Sequence, residues 1–140
     1  MSKVLSIDYG TVRIGLAISD ELRMLARPIG IIAASKNLIP ELIALIKKEN
    51  IASVIVGLPR HLDGGDSEMT TEVRKFAEKL FAKLDEIKVE HQLYDERLTS
   101  IMAAGNILEQ GLSKSKRQQK YRHDEEAARI MLQEFLDSRS

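Results

Sequence analysis

The chain is expected to be an α/β protein with a mixed five-stranded sheet, three antiparallel strands and then two parallel ones, with helices on both faces. Three observations carry that expectation. Val4 to Asp8, Ile14 to Ser19 and Leu25 to Ala33 are strand-like runs joined by short connections, the pattern of an antiparallel meander. From Leu38 onward helical and strand patterns alternate, which implies parallel pairing through right-handed crossovers. Ser53 to Pro59 is a short apolar run, as expected of a central parallel strand covered on both faces.

The elements follow in order. The first run, Val4-Leu5-Ser6-Ile7, ends at Asp8 and passes at once into Tyr9-Gly10. In the second, small residues Gly15 and Ala17 alternate with Ile14, Leu16 and Ile18. One face is therefore apolar, and the other lets something approach the backbone closely. Asp20-Glu21-Leu22-Arg23 connects to the third run. Leu38 to Asn50 has a helical apolar period at Leu38, Leu42, Leu45 and Ile46 and ends in Lys47-Lys48. After the strand Ser53 to Pro59, a loop from Arg60 to Asp66 holds Asp63-Gly64-Gly65. A long helix is predicted from about Ser67 to Leu84, with Val73, Phe76, Ala77 and Leu80 on one stripe. Ile87 to Tyr94 is the fifth strand. Thr99 to Gln110 reads as a helix, with Thr99 a fitting N-cap and Gly111 a stop, although Gly105 interrupts it. The last helix is expected from about Asp124 to Asp137, with Ala127, Ala128, Met131, Leu132 and Phe135 on one side.

At 140 residues the chain is expected to be one domain, residues 1–140, burying about two-thirds of the surface its unfolded form would expose. No apolar run approaches the roughly 20 residues that span a bilayer, and the N-terminus enters strand-like sequence without a signal region. Cysteine is absent, which excludes a disulfide framework, a thiolate metal site and a thiol nucleophile. A cytoplasmic protein is the expectation. With 21 basic and 21 acidic residues the chain is formally neutral, which argues against a protein that coats nucleic acid by charge alone.

The acidic residues are the informative ones. Asp8 ends the first strand, Asp95-Glu96 ends the fifth, and Asp124 opens the final helical stretch. In such sheets ligands sit outside the carboxyl ends of the strands. A convergent cluster of carboxylates is costly unless it holds a cation, so this pattern points to a divalent-metal site and to phosphodiester chemistry. Each residue also has a plainer explanation. Asp124 suits a helix start through capping and the macrodipole. Asp95-Glu96 suits a polar strand end, and only one of the two can face a site on a given side of the sheet. The run Lys114-Ser115-Lys116-Arg117-Gln118-Gln119-Lys120-Tyr121-Arg122-His123 suits a solvated connection between helices. Its place just before Asp124 also suits a segment that holds a phosphate backbone. Arg13 and Arg97 flank the acidic residues and could clamp phosphate or merely join surface ion pairs. His61, His91 and His123 show no ligand spacing.

Four segments together resemble the YqgF family, also called RuvX: Ile7-Asp8-Tyr9-Gly10 continuing through Arg13-Ile14-Gly15-Leu16-Ala17-Ile18-Ser19-Asp20; Val56-Gly57-Leu58-Pro59 with Asp63-Gly64; Asp95-Glu96-Arg97-Leu98-Thr99; and Asp124 with Ala127-Ala128 and Leu132. They span nearly the whole chain in the family's order. The resemblance implies an RNase H-like fold and a role as a Holliday junction resolvase or as the nuclease maturing the 5′ end of pre-16S ribosomal RNA. It implies Asp8, Glu96 and Asp124 as the catalytic, metal-binding carboxylates, and it prefers Glu96 to Asp95. An Asp-x-Gly after a first strand also occurs in actin-like ATPases and sugar kinases, but those need two such domains, which 140 residues cannot supply.

Oxygen ligands without cysteine or paired histidine favour Mg²⁺ or Mn²⁺, and two such ions about 4 Å apart suit an in-line displacement at phosphorus. Asp8 would be the ligand both ions share. Arg13, Arg97, Lys114, Lys116, Arg117, Lys120 and Arg122 are the expected nucleic-acid contacts, positioning the backbone without reading bases. The expected partner is pre-16S rRNA or, as the alternative, branched DNA; a non-catalytic nucleic-acid-binding module is the third reading. A junction resolvase needs a two-fold dimer. No heptad or large apolar stripe announces one, so a monomer or weak homodimer is expected, with no membrane partner.

Overall fold

The computed structural model describes residues 2–10, 13–58, 68–95 and 116–138, with 68, 69, 95 and 116–125 described through their backbone alone. Strands β1 (Lys3–Tyr9), β2 (Arg13–Ser19) and β3 (Ala26–Ala33) are followed by helix α1 (Leu38–Lys48), strand β4 (Ile51–Leu58), helix α2 (Glu68–Glu86), strand β5 (Glu90–Asp95) and helix α3 (Lys116–Ser138). The sheet order is β3-β2-β1-β4-β5. β1 pairs antiparallel with β2 and β2 with β3, whereas β1–β4 and β4–β5 are parallel. This is the expected mixed sheet, with β1 at its centre. The predicted helix from Thr99 to Gln110 lies outside the described residues.

Strand alternation divides the interior into two layers. Leu5 and Ile7 of β1, with Ile14, Leu16 and Ile18 of β2, pack beneath α1 and α2. There they meet Leu38, Leu42 and Ile46 of α1 and Val73, Phe76, Ala77 and Leu80 of α2, on the stripes their helical periods predicted, with Leu84 added at the end of α2. On the other face Val4, Ala17 and Ile55 pack against Ala128, Met131, Leu132, Phe135 and Leu136 of α3. Met131 and Leu132 are wholly buried, a burial that favours folding by about 1.5–3 kcal/mol for each such side chain. The small face of β2 thus has its occupant, for Ala17 lies under α3 and the helix can sit close to the sheet.

Some boundaries differ from expectation, each for a local reason. β5 begins at Glu90 and not at Ile87, because α2 ends in a left-handed cap. Lys88 adopts φ 57°, its N–H donates to the Asp85 carbonyl at 3.2 Å, and the Val89 N–H donates to the Leu84 carbonyl at 3.0 Å. Asn50, at φ 56°, takes the same left-handed conformation just after α1, so that helix stops at Lys48. In the β2–β3 hairpin, Asp20 Oδ1 accepts the Met24 and Leu25 N–H groups at 2.8 and 3.1 Å. Those amides, Leu25 first, hold the Asp20 carboxyl below its ordinary range.

The largest departure is α3. It starts at Lys116, well before the expected Asp124. Lys116-Arg117-Gln118-Gln119-Lys120 are good helix formers with no glycine or proline among them, but they carry no apolar stripe to announce a helix. The basic run from Lys116 onward is therefore helix and not a connection, and Asp124 is not a helix-start residue. Capping and the macrodipole no longer account for it.

Candidate active site

The chain's first turn builds one wall of the site. Gly10 passes so close to β2 that a Cβ placed there would lie 2.5 Å from the Arg13 carbonyl oxygen, so only glycine permits this path. Across the β1–β2 pair Asp8 faces Gly15. Gly15 shares the sheet face of Ala17, the α3 side. Asp8 is therefore on the α3 side too, half-buried near the carboxyl end of the central strand and opposite a residue with no side chain. Arg13 is the diagonal cross-strand neighbour of Asp8 on the same face, close enough for a long side chain to share its surroundings.

The second wall is α3, which is held across the sheet by side-chain hydrogen bonds. At one edge Gln133 Oε1 accepts the Ala26 N–H at 2.9 Å and its Nε2 donates to the Met24 carbonyl at 3.0 Å. At the other edge Tyr94 Oη donates to Glu134 Oε2 at 3.1 Å. Between them the Ser6 hydroxyl, fully buried, donates to the Ala128 carbonyl at 2.9 Å. Gln133 thus sits by the β2–β3 hairpin and Ala128 nearer the carboxyl end of β1, so the helix runs back along β1 toward Asp8. From Ser6 to Asp8 the strand advances about 6.6 Å. From Ala128 back to Asp124 the helix rises about 6 Å the same way. The backbone of Asp124 is thereby brought level with the end of β1 that carries Asp8.

Ser6 is a positioning residue that the reading of the sequence missed. Its signal was a lone hydroxyl in an apolar run, on the parity of Asp8. Ser6→Ala is expected to cost about 1 kcal/mol in denaturant unfolding, the worth of one hydrogen bond. Glu126 is also accounted for: its Oε1 accepts from Arg129 Nε at 3.0 Å within the helix.

The remaining expectations divide as follows. The backbones of Lys116, Arg117, Lys120 and Arg122 lie in α3, in the turns before Asp124. Asp95 is the last residue of β5, paired with Leu58. Glu96, Arg97 and Lys114 lie outside the described residues, as does Asp63-Gly64. Among the described residues no group of three His, Cys, Asp or Glu side chains could hold a metal ion, but only Asp8 of the expected ligands has its side chain among them. No helix of the described residues is long and apolar enough to cross a membrane.

Comparison with known proteins places this arrangement. The profile of the RuvX family, described as Holliday junction resolvase, matches residues 2–138. A provisionally named pre-16S rRNA nuclease of Maridesulfovibrio salexigens is 40% identical over 136 residues, covering 96% of this chain and 97% of that protein. One of the same name from Bacteroides fragilis is 34% identical over 139 residues, with 99% of each chain covered. Among solved structures, Thermus thermophilus RuvC in complex with a Holliday junction substrate aligns with a TM-score of 0.62. At 16% identity, over 99% of this chain and 96% of that one, the likeness is one of fold, the RNase H-like fold. By sequence, the chain belongs to the RuvX family.

Proposed function

We propose that the chain is a divalent-metal-dependent nuclease that hydrolyses nucleic-acid phosphodiesters, acting in the cytoplasm on the 5′ end of pre-16S ribosomal RNA. It would work as a single domain, residues 1–140, and as a monomer or weak homodimer. The observation that supports this reading is the Ser6–Ala128 hydrogen bond, which sets the backbone of Asp124 on α3 at about the level of Asp8 at the carboxyl end of the central strand. The names of the relatives support RNA as the substrate, and the family's description supports junction DNA.

Asp8, Glu96 and Asp124 are the proposed ligands. The family resemblance prefers Glu96 to Asp95, and at the end of β5 Tyr94 packs on the α3 side that Asp8 shares, whereas Leu93 packs on the other. All three are oxygen donors, as Mg²⁺ or Mn²⁺ requires, and Gly15 opposite Asp8 leaves room for a ligand sphere. Bound there, a pair of such ions would supply an activated water and charge stabilisation for the leaving 3′ oxygen. Arg13, beside Asp8, would hold a phosphate oxygen, as would Arg97. Lys114, Lys116, Arg117, Lys120 and Arg122, before and along the first turns of α3, would carry the backbone toward the carboxylates, contributing affinity without base preference.

The test is cleavage of two labelled substrates, a precursor spanning the 5′ end of the small-subunit RNA and a mobile four-way DNA junction, each with Mg²⁺, Mn²⁺ or EDTA. Metal-dependent cutting of the RNA alone is expected, with Glu96→Gln and Asp124→Asn each lowering it by on the order of 100-fold or more. Symmetric cuts in the junction would make the protein a resolvase. Untouched activity in both variants would overturn the site, and binding without cleavage under any divalent ion would leave a binding module.

A further inference from the structure

The last two residues of β1 point to opposite sides of the sheet. Asp8 serves the α3 side; Tyr9 turns to the side of α1 and α2, where its ring lies 4.6 Å from that of Phe76, tilted by 31°. Tyr9 is half-buried and lines an open groove of about 400 Å³ between the start of α1 and one flank of α2. Around the groove stand Lys36, Lys75 and Lys79, all exposed, with Glu72 the one acidic residue among its lining side chains. Among the described residues none of these three lysines enters an ion pair. Lys75 and Lys79 are one helical turn apart, about 6 Å. Three unpaired cations around a partly exposed aromatic ring form a surface for a polyanion that also carries flat apolar groups.

We infer that this groove binds the single-stranded flank of the nucleic-acid substrate, with the lysines on successive phosphates and a base stacked on Tyr9. The inference rests on the nuclease reading above and extends it to the opposite face of the sheet. Because Asp8 and Tyr9 have Cα atoms about 4 Å apart, the groove begins one residue from the proposed site, within reach of a strand that leaves it. Lysines on phosphate bring affinity and salt dependence, and stacking on an aromatic ring is tolerant of sequence. An acidic peptide would satisfy the lysines but would leave Tyr9 without a stacking partner, so a nucleic-acid strand suits the whole groove better.

The test is fluorescence anisotropy with single-stranded RNA and single-stranded DNA of the same sequence, using the full chain with Asp8→Asn so that neither probe is cut. Lys75→Gln with Lys79→Gln should lower the slope of log affinity against log salt by about 1.4, the value for two lost single-strand phosphate contacts. Tyr9→Leu should weaken binding about tenfold, and Tyr9→Phe, which keeps the ring, should restore it. Photo-crosslinking of a 5-iodouridine probe to Tyr9 in the otherwise unaltered groove gives a readout independent of variant folding. Loss of affinity for both probes supports the groove as a general strand track, and loss for RNA alone supports an RNA-specific one. Unchanged slope and affinity in folded variants, with no crosslink to Tyr9, would overturn the groove while leaving the nuclease reading intact. Displacement of the crosslink by a polyglutamate peptide that binds more tightly than either oligonucleotide would overturn it in favour of a protein partner. A chain that binds neither probe would overturn the groove, while cleavage of the precursor RNA and the junction would decide the nuclease reading separately.

Discussion

Asp8→Asn is expected to lower metal-dependent cleavage by on the order of 10³-fold or more in a protein that still folds. Asp8 is the one proposed ligand on the central strand, positioned by the β1–β2 register and by the glycine that its turn requires. An amide at that position keeps the shape and removes the charge, and several kcal/mol of transition-state stabilisation goes with it. In the proposed site, the same substitution would take one negative charge from beside those of Glu96 and Asp124. Added Mg²⁺ should raise the thermal unfolding midpoint of the wild type by mass action and leave that of the variant where it was. Cleavage within tenfold of wild type, or wild-type cleavage that persists in EDTA, would sink the assignment.

Ala128→Leu is the second large effect expected. Ala128 is wholly buried where α3 crosses β1, its carbonyl bonded to Ser6 and its methyl in the same buried cluster as Ala17. Three extra carbons cannot fit between helix and sheet, so α3 must lift, at a cost of about 1–3 kcal/mol. Lifting the helix also moves Asp124 away from Asp8, so activity should fall by more than stability explains, since a misplacement of 1 Å at a catalytic constellation can cost about 100-fold. Leu42→Ala in α1 supplies the comparison, for it removes a fully buried side chain from the other layer at a cost of about 2–5 kcal/mol. At a temperature where both variants stay folded, only Ala128→Leu should show the deficit in cleavage. Equal activity in the two would mean that the seam under α3 does not set the geometry of the site.

Most of the fold was legible because its signals are local. The alternation in Ile14-Gly15-Leu16-Ala17-Ile18 named the two faces of β2, and the stripes of α1, α2 and the second half of α3 named the surfaces that meet them. The first half of α3 was not legible, because Lys116 to Arg122 form a helix by intrinsic propensity without an apolar face to reveal its period. The start of β5 was missed because Lys88 takes a left-handed conformation usually reserved for glycine. The site divides in the same way. Asp8 stood out as a carboxylate ending an apolar run, and Gly10 and Gly15 stood beside it, but the hydroxyl of Ser6 looked like one more strand residue until its partner on α3 was known.

Local sequence by itself determined the order of strands and helices, the two-faced pattern of each and the residue types able to hold a cation, since these depend on periods of two and 3.6 residues and on side-chain chemistry. Only the tertiary structure decided that α3 crosses the sheet with Ala128 over Ser6, that Tyr9 meets Phe76 of α2 while Asp8 lies on the α3 side, and that Lys36 and Lys79 share a groove. Those facts depend on contacts between residues far apart in the chain, and such contacts leave no periodic trace in either segment alone.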